Sequence, residues 1–264
     1  MIFINTRPPD RAKALTQCLE QADFNVIELP VLALRAKPFD ETLRLNYQAL
    51  PDASMIVVVS PTAVDIGMRY LQLAGLDICA LRHIQWVAVG KTTAAALAQY
   101  GVESAIPEVE TSEGMLSLSI FNTLNGIENI AFWRGEGGRQ FMMQELQSKD
   151  ISILNFVLYE RYCPEQTIQK FPEISAYLIE KERLKQVPYW VCISSEASWK
   201  NWLMLCRHSP ELLSKCHYLV LGERLCQLLV HDKAKLKQDY AVSQLVDLNP
   251  QTILKSIHHW RKTL

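Results

Sequence analysis

No apolar run in this 264-residue chain approaches the roughly 20 residues needed to cross a bilayer, so a membrane-spanning helix is excluded. The opening Met1-Ile-Phe-Ile-Asn-Thr-Arg-Pro8 has no basic segment followed by an apolar one, and the expectation is a cytoplasmic protein without a secretory signal. Cysteine is unpatterned: the seven residues form no C-x-x-C pair, which fits reduced thiols rather than a disulfide framework. Charge of neither sign prevails. A net charge of −1 gives no global attraction to nucleic acid or to a membrane surface. The basic end His258-His259-Trp260-Arg261-Lys262 reads as a solvated helix terminus.

Catalytic signatures are scarce as well. Gly-x-Ser-x-Gly is absent, and histidine is rare at turns, so neither nucleophilic triads nor histidine acid–base chemistry is supported. Cys206, His208, Cys216, His217 and Cys226 fit no zinc spacing and lie in apolar helical surroundings; core packing is the expectation, and no metal. Gly90-Lys91-Thr92 looks like the tail of a P-loop, but the glycine required five positions earlier is Gln85. Gly135-Glu-Gly-Gly138 looks like a dinucleotide turn, yet Gln140 stands where the third glycine belongs. Glu160 could still imitate a ribose-binding acid, so a tight strand–helix turn and a dinucleotide site both stay open at this point.

What the chain does contain is a soluble globular composition, 49% apolar and 21% charged. Short apolar runs alternate with helical spacing. Ile2–Asn5, Val26–Leu34 (with Pro30 marking a bend or an edge position), Met55–Val59, Ile84–Val89 and Ala105–Pro107 read as strands in the first half. In the second half Ile130–Trp133, Ile151–Tyr159, Tyr189–Ile193, Tyr218–Gly222 and Tyr240–Val242 do so. Arg11–Ala22, Ala63–Leu73, Gln140–Gln147, Pro164–Val187 and Pro250–Arg261 read as helices. A further helix is expected to start at Thr111-Ser-Glu-Gly114, and Asn125-Gly126 marks the restart of the pattern. Lys37–Ser54 reads only as a polar segment.

The stretch Val87–Gly101 condenses the pattern. A buried strand ends at Gly90, Thr92 or Thr93 is expected to cap an alanine-rich helix, and Gly101 supplies the left-handed stop. Such a strand–turn–helix unit favours an anion at its N–H groups. Much of the chain repeats it: Ile2 matches Ile130, Arg7 matches Arg134, Ser60 matches Ser194 and Gly90 matches Gly222, at offsets of roughly 127 to 134 residues. The fold class is therefore α/β, two similar domains with parallel sheets, and ligand loops at the strand C-termini. Hydroxyls and arginines recur at those ends: Thr6-Arg7, Ser60 with Thr62, Lys91 with Thr93, Arg134 with Arg139, Tyr159 with Arg161, and Ser194-Ser195. Together they describe a cleft rich in donors and almost free of carboxylates, suited to a polyanion.

These are also the residues through which the chain resembles uroporphyrinogen-III synthases. The matching pieces are Thr6-Arg-Pro8, Ile56–Ser60 with Ala63-Val64, Ala88-Val-Gly90 with Thr93-Ala94 and Gly101, and Ser112-Glu-Gly114. Arg134-Gly135 with Gly138-Arg139, Val157–Arg161 and Ser194-Ser195 complete an ordered set running the length of the chain. The resemblance implies two flavodoxin-like domains in a swapped arrangement, residues 1–35 with 164–264 and residues 36–163, joined by a two-strand hinge. It implies a monomeric, cofactor-free lyase that cyclises hydroxymethylbilane, with Tyr159 as the proton donor. A tyrosine with an ordinary pKa of ~10 keeps its proton at neutral pH, as an acid must. Substrate carboxylates would meet Thr6, Arg7, Ser60, Thr62, Ala63, Gly90, Lys91, Thr93, Arg134, Gly135, Arg139, Arg161, Ser194, Ser195 and Gly222. One departure is Leu221-Gly-Glu-Arg-Leu-Cys226, which lacks the Thr-Ala often repeated after the glycine and places Glu223 beside an expected polyanion. The rival reading is a non-catalytic two-domain module that binds an anionic small molecule.

Overall fold

The computed structural model describes residues 1–110, 112–121, 127–137, 140–182 and 188–262. In chain order the elements begin β1 (Ile2–Asn5), α1 (Pro9–Glu20), β2 (Asn25–Glu28), β3 (Ala33–Ala36), α2 (Glu41–Ala49), β4 (Met55–Val58) and α3 (Pro61–Leu73). They continue with β5 (Gln85–Ala88), α4 (Lys91–Ala98), α5 (Ser112–Leu116), β6 (Asn129–Gly135), α6 (Phe141–Gln147) and β7 (Ser152–Tyr162). The remainder is α7 (Glu165–Glu182), β8 (Tyr189–Ile193), α8 (Glu196–Leu205), α9 (Glu211–Ser214), β9 (Cys216–Leu221), α10 (Glu223–Leu236), β10 (Ala241–Leu245) and α11 (Pro250–Lys262).

The chain forms two compact units, Met1–Ala33 with Tyr162–Leu264, and Leu34–Arg161. In the first, the strands lie in the order β10-β9-β8-β1-β2, each neighbouring pair parallel. In the second the order is β3-β7-β6-β4-β5, with the pairs β7–β6, β6–β4 and β4–β5 parallel. Counted from β1, the first sheet runs 2-1-3-4-5, the flavodoxin-like order. Counted from β6 and continued through β4, the second runs 2-1-3-4, with Ala105 bridging Val87 in the fifth place. The same frame is entered at two different points. In each sheet the strand order reverses once, between β1 and β8 and between β6 and β4.

Both faces of each sheet are covered, which is why the strands read as continuous apolar runs rather than alternating ones. Met55, Ile56, Val57 and Val58 are all fully buried. Ile56 and Val58 pack with Tyr47, Trp133 and Phe156, whereas Met55 and Val57 pack with Phe132, Met142 and Leu146 on the opposite face. Burying each such side chain contributes ~1.5–3 kcal/mol before the entropy of ordering it is counted.

Several boundaries differ from the sequence reading. The single strand expected over Val26–Leu34 is two strands in two sheets. Leu29 N–H donates to Asn5 O and Val31 N–H to Thr6 O, but Pro30 between them has no N–H, and the ladder breaks there. The polar segment after Lys37 contains α2, capped by Asp40, whose carboxylate accepts from Leu43 N–H; Leu43 and Tyr47, one turn apart, are its buried face. Ala105 makes one bridge rather than a strand. The expected helix start at Thr111 and the restart at Asn125-Gly126 lie outside the described residues.

Candidate functional site

In open parallel sheets, ligands bind outside the strand C-termini where the strand order reverses. In the second unit that point falls beyond the ends of β4 and β6, and Ser60 and Arg134-Gly135 sit there. Ser60 is in extended backbone, and its Oγ accepts from Ala63 N–H at 3.1 Å, capping α3. The same Oγ lies 3.0 Å from the Tyr159 hydroxyl. Tyr159 reaches it because β7 carries a register shift: Arg134 pairs with Val157, but Gly135 pairs with Tyr159. The extra residue turns Leu158 and Tyr159 into one core cluster, as bulges do when they re-aim a side chain. A Cβ on Gly135 would come within 2.4 Å of the Tyr159 ring, so Gly135 provides the space for that ring.

Two arginines flank the phenol. Arg134 is only 4% exposed. Burial holds its guanidinium below the usual range, the neighbouring Tyr159 opposes that effect, and the like charge of Arg161 adds to it. Arg161 lies with its guanidinium 5.6 Å from the Tyr159 ring centroid and donates to Glu136 O at 3.0 Å. Glu136 N–H in turn donates to Tyr159 O at 2.7 Å. Tyr159 itself is 2% exposed. Ser60, whose hydroxyl meets it, is half-buried.

At the end of β5 the expected threonine cap is not used. Gly90 is the N-cap of α4, and Thr93 is buried in the first turn. Glu110 occupies the helix terminus: its carboxylate accepts from Lys91 N–H at 2.9 Å. A Cβ on Gly90 would fall 2.4 Å from that carboxylate, so the glycine makes room for it. Glu136 carries a second carboxylate, 3.2 Å from Lys37 Nζ. The expectation that strand ends would be almost free of carboxylates is corrected by these two. Lys91 is exposed, Thr62 is half-buried, and Ala63 is buried with its N–H already given to Ser60.

In the first unit the reversal point holds Thr6-Arg7 and Ser194-Ser195. The buried Thr6 hydroxyl donates to Cys192 O, tying β1 to β8. Arg7 is half-buried and donates to Leu248 O at 3.4 Å. The counterpart of Ser60 is Ser195, not Ser194: Ser195 caps α8 by accepting from Ser198 N–H at 3.1 Å, and its Oγ lies 2.8 Å from Ser198 Oγ. Ser194, one residue earlier, is half-buried. Gly222 is the N-cap of α10 at φ 76° and ψ 163°. Arg139 lies outside the described residues.

Other candidates have packing roles. His217 stacks on Trp190 at 4.4 Å, meets Trp260 edge-on at 4.7 Å and shares a 2.8 Å hydrogen bond with Ser243. Burial lowers its pKa to about 4. Glu160, the would-be ribose acid, accepts from Arg35 Nε at 2.8 Å. A groove of about 520 Å³ along α7 and the end of α8 is lined by Phe171, Ile179, Met204 and Leu205 and contains no strand-end residue. Sequence reasoning missed Glu110, Glu136 and Lys37. The first had one readable signal, since it directly precedes the Thr111-Ser-Glu-Gly114 helix start.

Comparison with known proteins gives a consistent result. The family model described as "Uroporphyrinogen-III synthase HemD" matches residues 13–241. Among solved structures, a mutant uroporphyrinogen III synthase from Thermus thermophilus is similar over 99% of each chain, with 14% identity and a TM-score of 0.64. The uroporphyrinogen-III synthetase from Helicobacter pylori is similar over 98% of this chain and 100% of its own, with 15% identity and a TM-score of 0.58. At those identities the structural likeness concerns the fold.

Proposed function

The chain belongs to the uroporphyrinogen-III synthase family, and we propose from that premise that it converts hydroxymethylbilane to uroporphyrinogen III. It is a cyclising lyase of tetrapyrrole synthesis. The reaction expels the terminal hydroxyl as water, inverts the last pyrrole ring through a spiro intermediate and closes the macrocycle. Free bilane closes without inversion, so the protein has two tasks: holding a geometry in which the inverting attack is nearest, and assisting departure of the hydroxyl. Neither task calls for a metal or a redox cofactor.

The reading of the site is carried by one observation, the Tyr159–Ser60 contact at the point of strand reversal, with Arg134 and Arg161 beside it. We assign Tyr159 as the proton donor. Arg134 and Arg161 give this strand end a positive potential that attracts side-chain carboxylates. Substrate carboxylates are assigned to the accessible strand-end groups of the second unit, Thr62, Lys91 and Arg161, and to Arg7, Ser194 and the backbone at Gly222 in the first. Arg139 is assigned with them from the resemblance alone. Thr6, Ala63, Thr93 and Ser195 are reassigned to holding the turns, since their groups are buried or already bonded. The seven free cysteines suit a protein at work in the reducing cytoplasm; that it acts as a monomer is proposed from the resemblance alone.

Incubation with freshly made hydroxymethylbilane, oxidation and separation of the isomers tests the proposal. The type III isomer is expected in excess. Production of the type I isomer alone, at the spontaneous rate, would overturn it.

A further inference from the structure

The assigned acid is buried, whereas a proton donor must reach its acceptor. Tyr159 is 2% exposed and packed in the core cluster of the second unit. Ser60, half-buried at the N-terminus of α3, has its Oγ 3.0 Å from the Tyr159 hydroxyl. We propose that Ser60 is a catalytic residue, the relay that hands the Tyr159 proton to the departing hydroxyl of the substrate. The inference rests on Tyr159 being the acid.

The bonding of Ser60 suits the role. A serine hydroxyl has one proton and two lone pairs. One lone pair is fixed by Ala63 N–H at 3.1 Å, which sets the orientation of Oγ. Either oxygen can donate in the Tyr159 contact; in the relay the second lone pair accepts the Tyr159 O–H, which leaves the serine proton to be given to the substrate. In the transfer, the phenol O–H breaks as Ser60 Oγ takes its proton, and the serine O–H breaks as its own proton passes to the substrate hydroxyl. The substrate C–O bond then breaks with its electron pair on oxygen, and water leaves. The cation left on the bilane is neutralised when the closing ring loses a proton, which returns through Ser60 to the Tyr159 phenolate. No further reactant is needed.

The cap and the relay separate by substitution. Ser60→Asn keeps a good helix cap but its amide does not relay a proton; Ser60→Thr keeps both functions. The expected result is that Ser60→Asn unfolds in urea at a midpoint close to that of the natural protein, loses ~10²–10⁴-fold in kcat and changes little in KM. Ser60→Thr should recover most of kcat. Tyr159→Phe should lose as much as Ser60→Asn, and the double variant should lose no more than either single one, since both act on one proton path. Near-natural kcat in Ser60→Asn, beside a slow Tyr159→Phe, would overturn the relay and leave Tyr159 as the acid. Multiplying losses in the double variant would overturn it too. Unchanged kcat in Tyr159→Phe would instead remove the reading on which the relay rests.

Discussion

Ser60 and Ser195 start their helices from nearly the same backbone, φ −167°, ψ 158° and φ −159°, ψ 160°. Each caps its helix through the N–H three residues on. Their second partners differ. Ser195 lies against Ser198 of its own helix, while Ser60 lies against a phenol delivered from β7. The arginines at the ends of the neighbouring strands β6 and β1 differ in the same sense, Arg134 buried beside Tyr159 and Arg7 half-buried beside Leu248 O. The two glycine turns differ in what a side chain would meet. Gly222 sits at φ 76°, which L side chains avoid, with nothing within 4 Å of its absent Cβ; Gly90 sits at φ −168°, open to any residue, but a carboxylate fills the space a Cβ would need. Two copies of one frame thus carry unequal chemistry: in the second unit the capping serine meets a phenol at the reversal point, while in the first Thr6 and Ser195 bond within the fold.

This contrast can be broken or sharpened by substitution. Among the glycines, Gly135→Ala should have the largest effect, since the new Cβ displaces the Tyr159 ring; a misplacement of ~1 Å costs about 10²-fold in rate, measured as kcat with the fold checked by circular dichroism. Gly222→Ala should act on stability instead, lowering the unfolding free energy in urea by ~1–3 kcal/mol because that region of backbone space is essentially restricted to glycine. Gly90→Ala, in ordinary backbone and facing only the end of an exposed glutamate, should stay within ~0.5 kcal/mol.

Acid should separate the units as well. His217, in the first unit, has its folded pKa depressed to about 4 by burial, below the ~6.5 of an unfolded histidine. Between those values the unfolded chain binds the extra proton, so its contribution to stability is full above ~6.5 and declines by about 1.4 kcal/mol per pH unit down to ~4. Hydrogen exchange at falling pH should show β8–β10 opening before β4–β6, and His217→Gln should flatten the slope. A small effect is expected at Glu110. Its carboxylate sits where the N-terminus of α4 would receive a substrate carboxylate, so Glu110→Ala should lower KM about two- to fivefold at low salt, the range of a single helix-terminus charge.

Much of the fold was legible because both sheets are buried on two faces. Met55–Val58 and Tyr189–Ile193 are continuous apolar runs for that reason. The segment holding α2 was less so, although Asp40 with Leu43 and Tyr47 is a cap followed by a one-turn apolar pair. The site was legible as a set of strand ends, but not as contacts. Tyr159 meets Ser60 only because of a register shift, and sequence does not reveal a bulge inside an eleven-residue strand. Gly135 looked like an anion turn, and its close neighbour is instead a ring 24 residues further along the chain. The Glu110 carboxylate at α4 was hidden for the same reason: a local pattern shows that a helix terminus favours an anion, not that the chain supplies one.

The inequality of the two reversal points is tested most directly by removing one hydroxyl from each and measuring kcat on hydroxymethylbilane. Tyr159→Phe should be slower by ~10²–10⁴-fold, while Ser198→Ala, the matching deletion beside Ser195, should stay within about threefold. Equal losses in the two variants, or a larger loss in Ser198→Ala, would contradict the account.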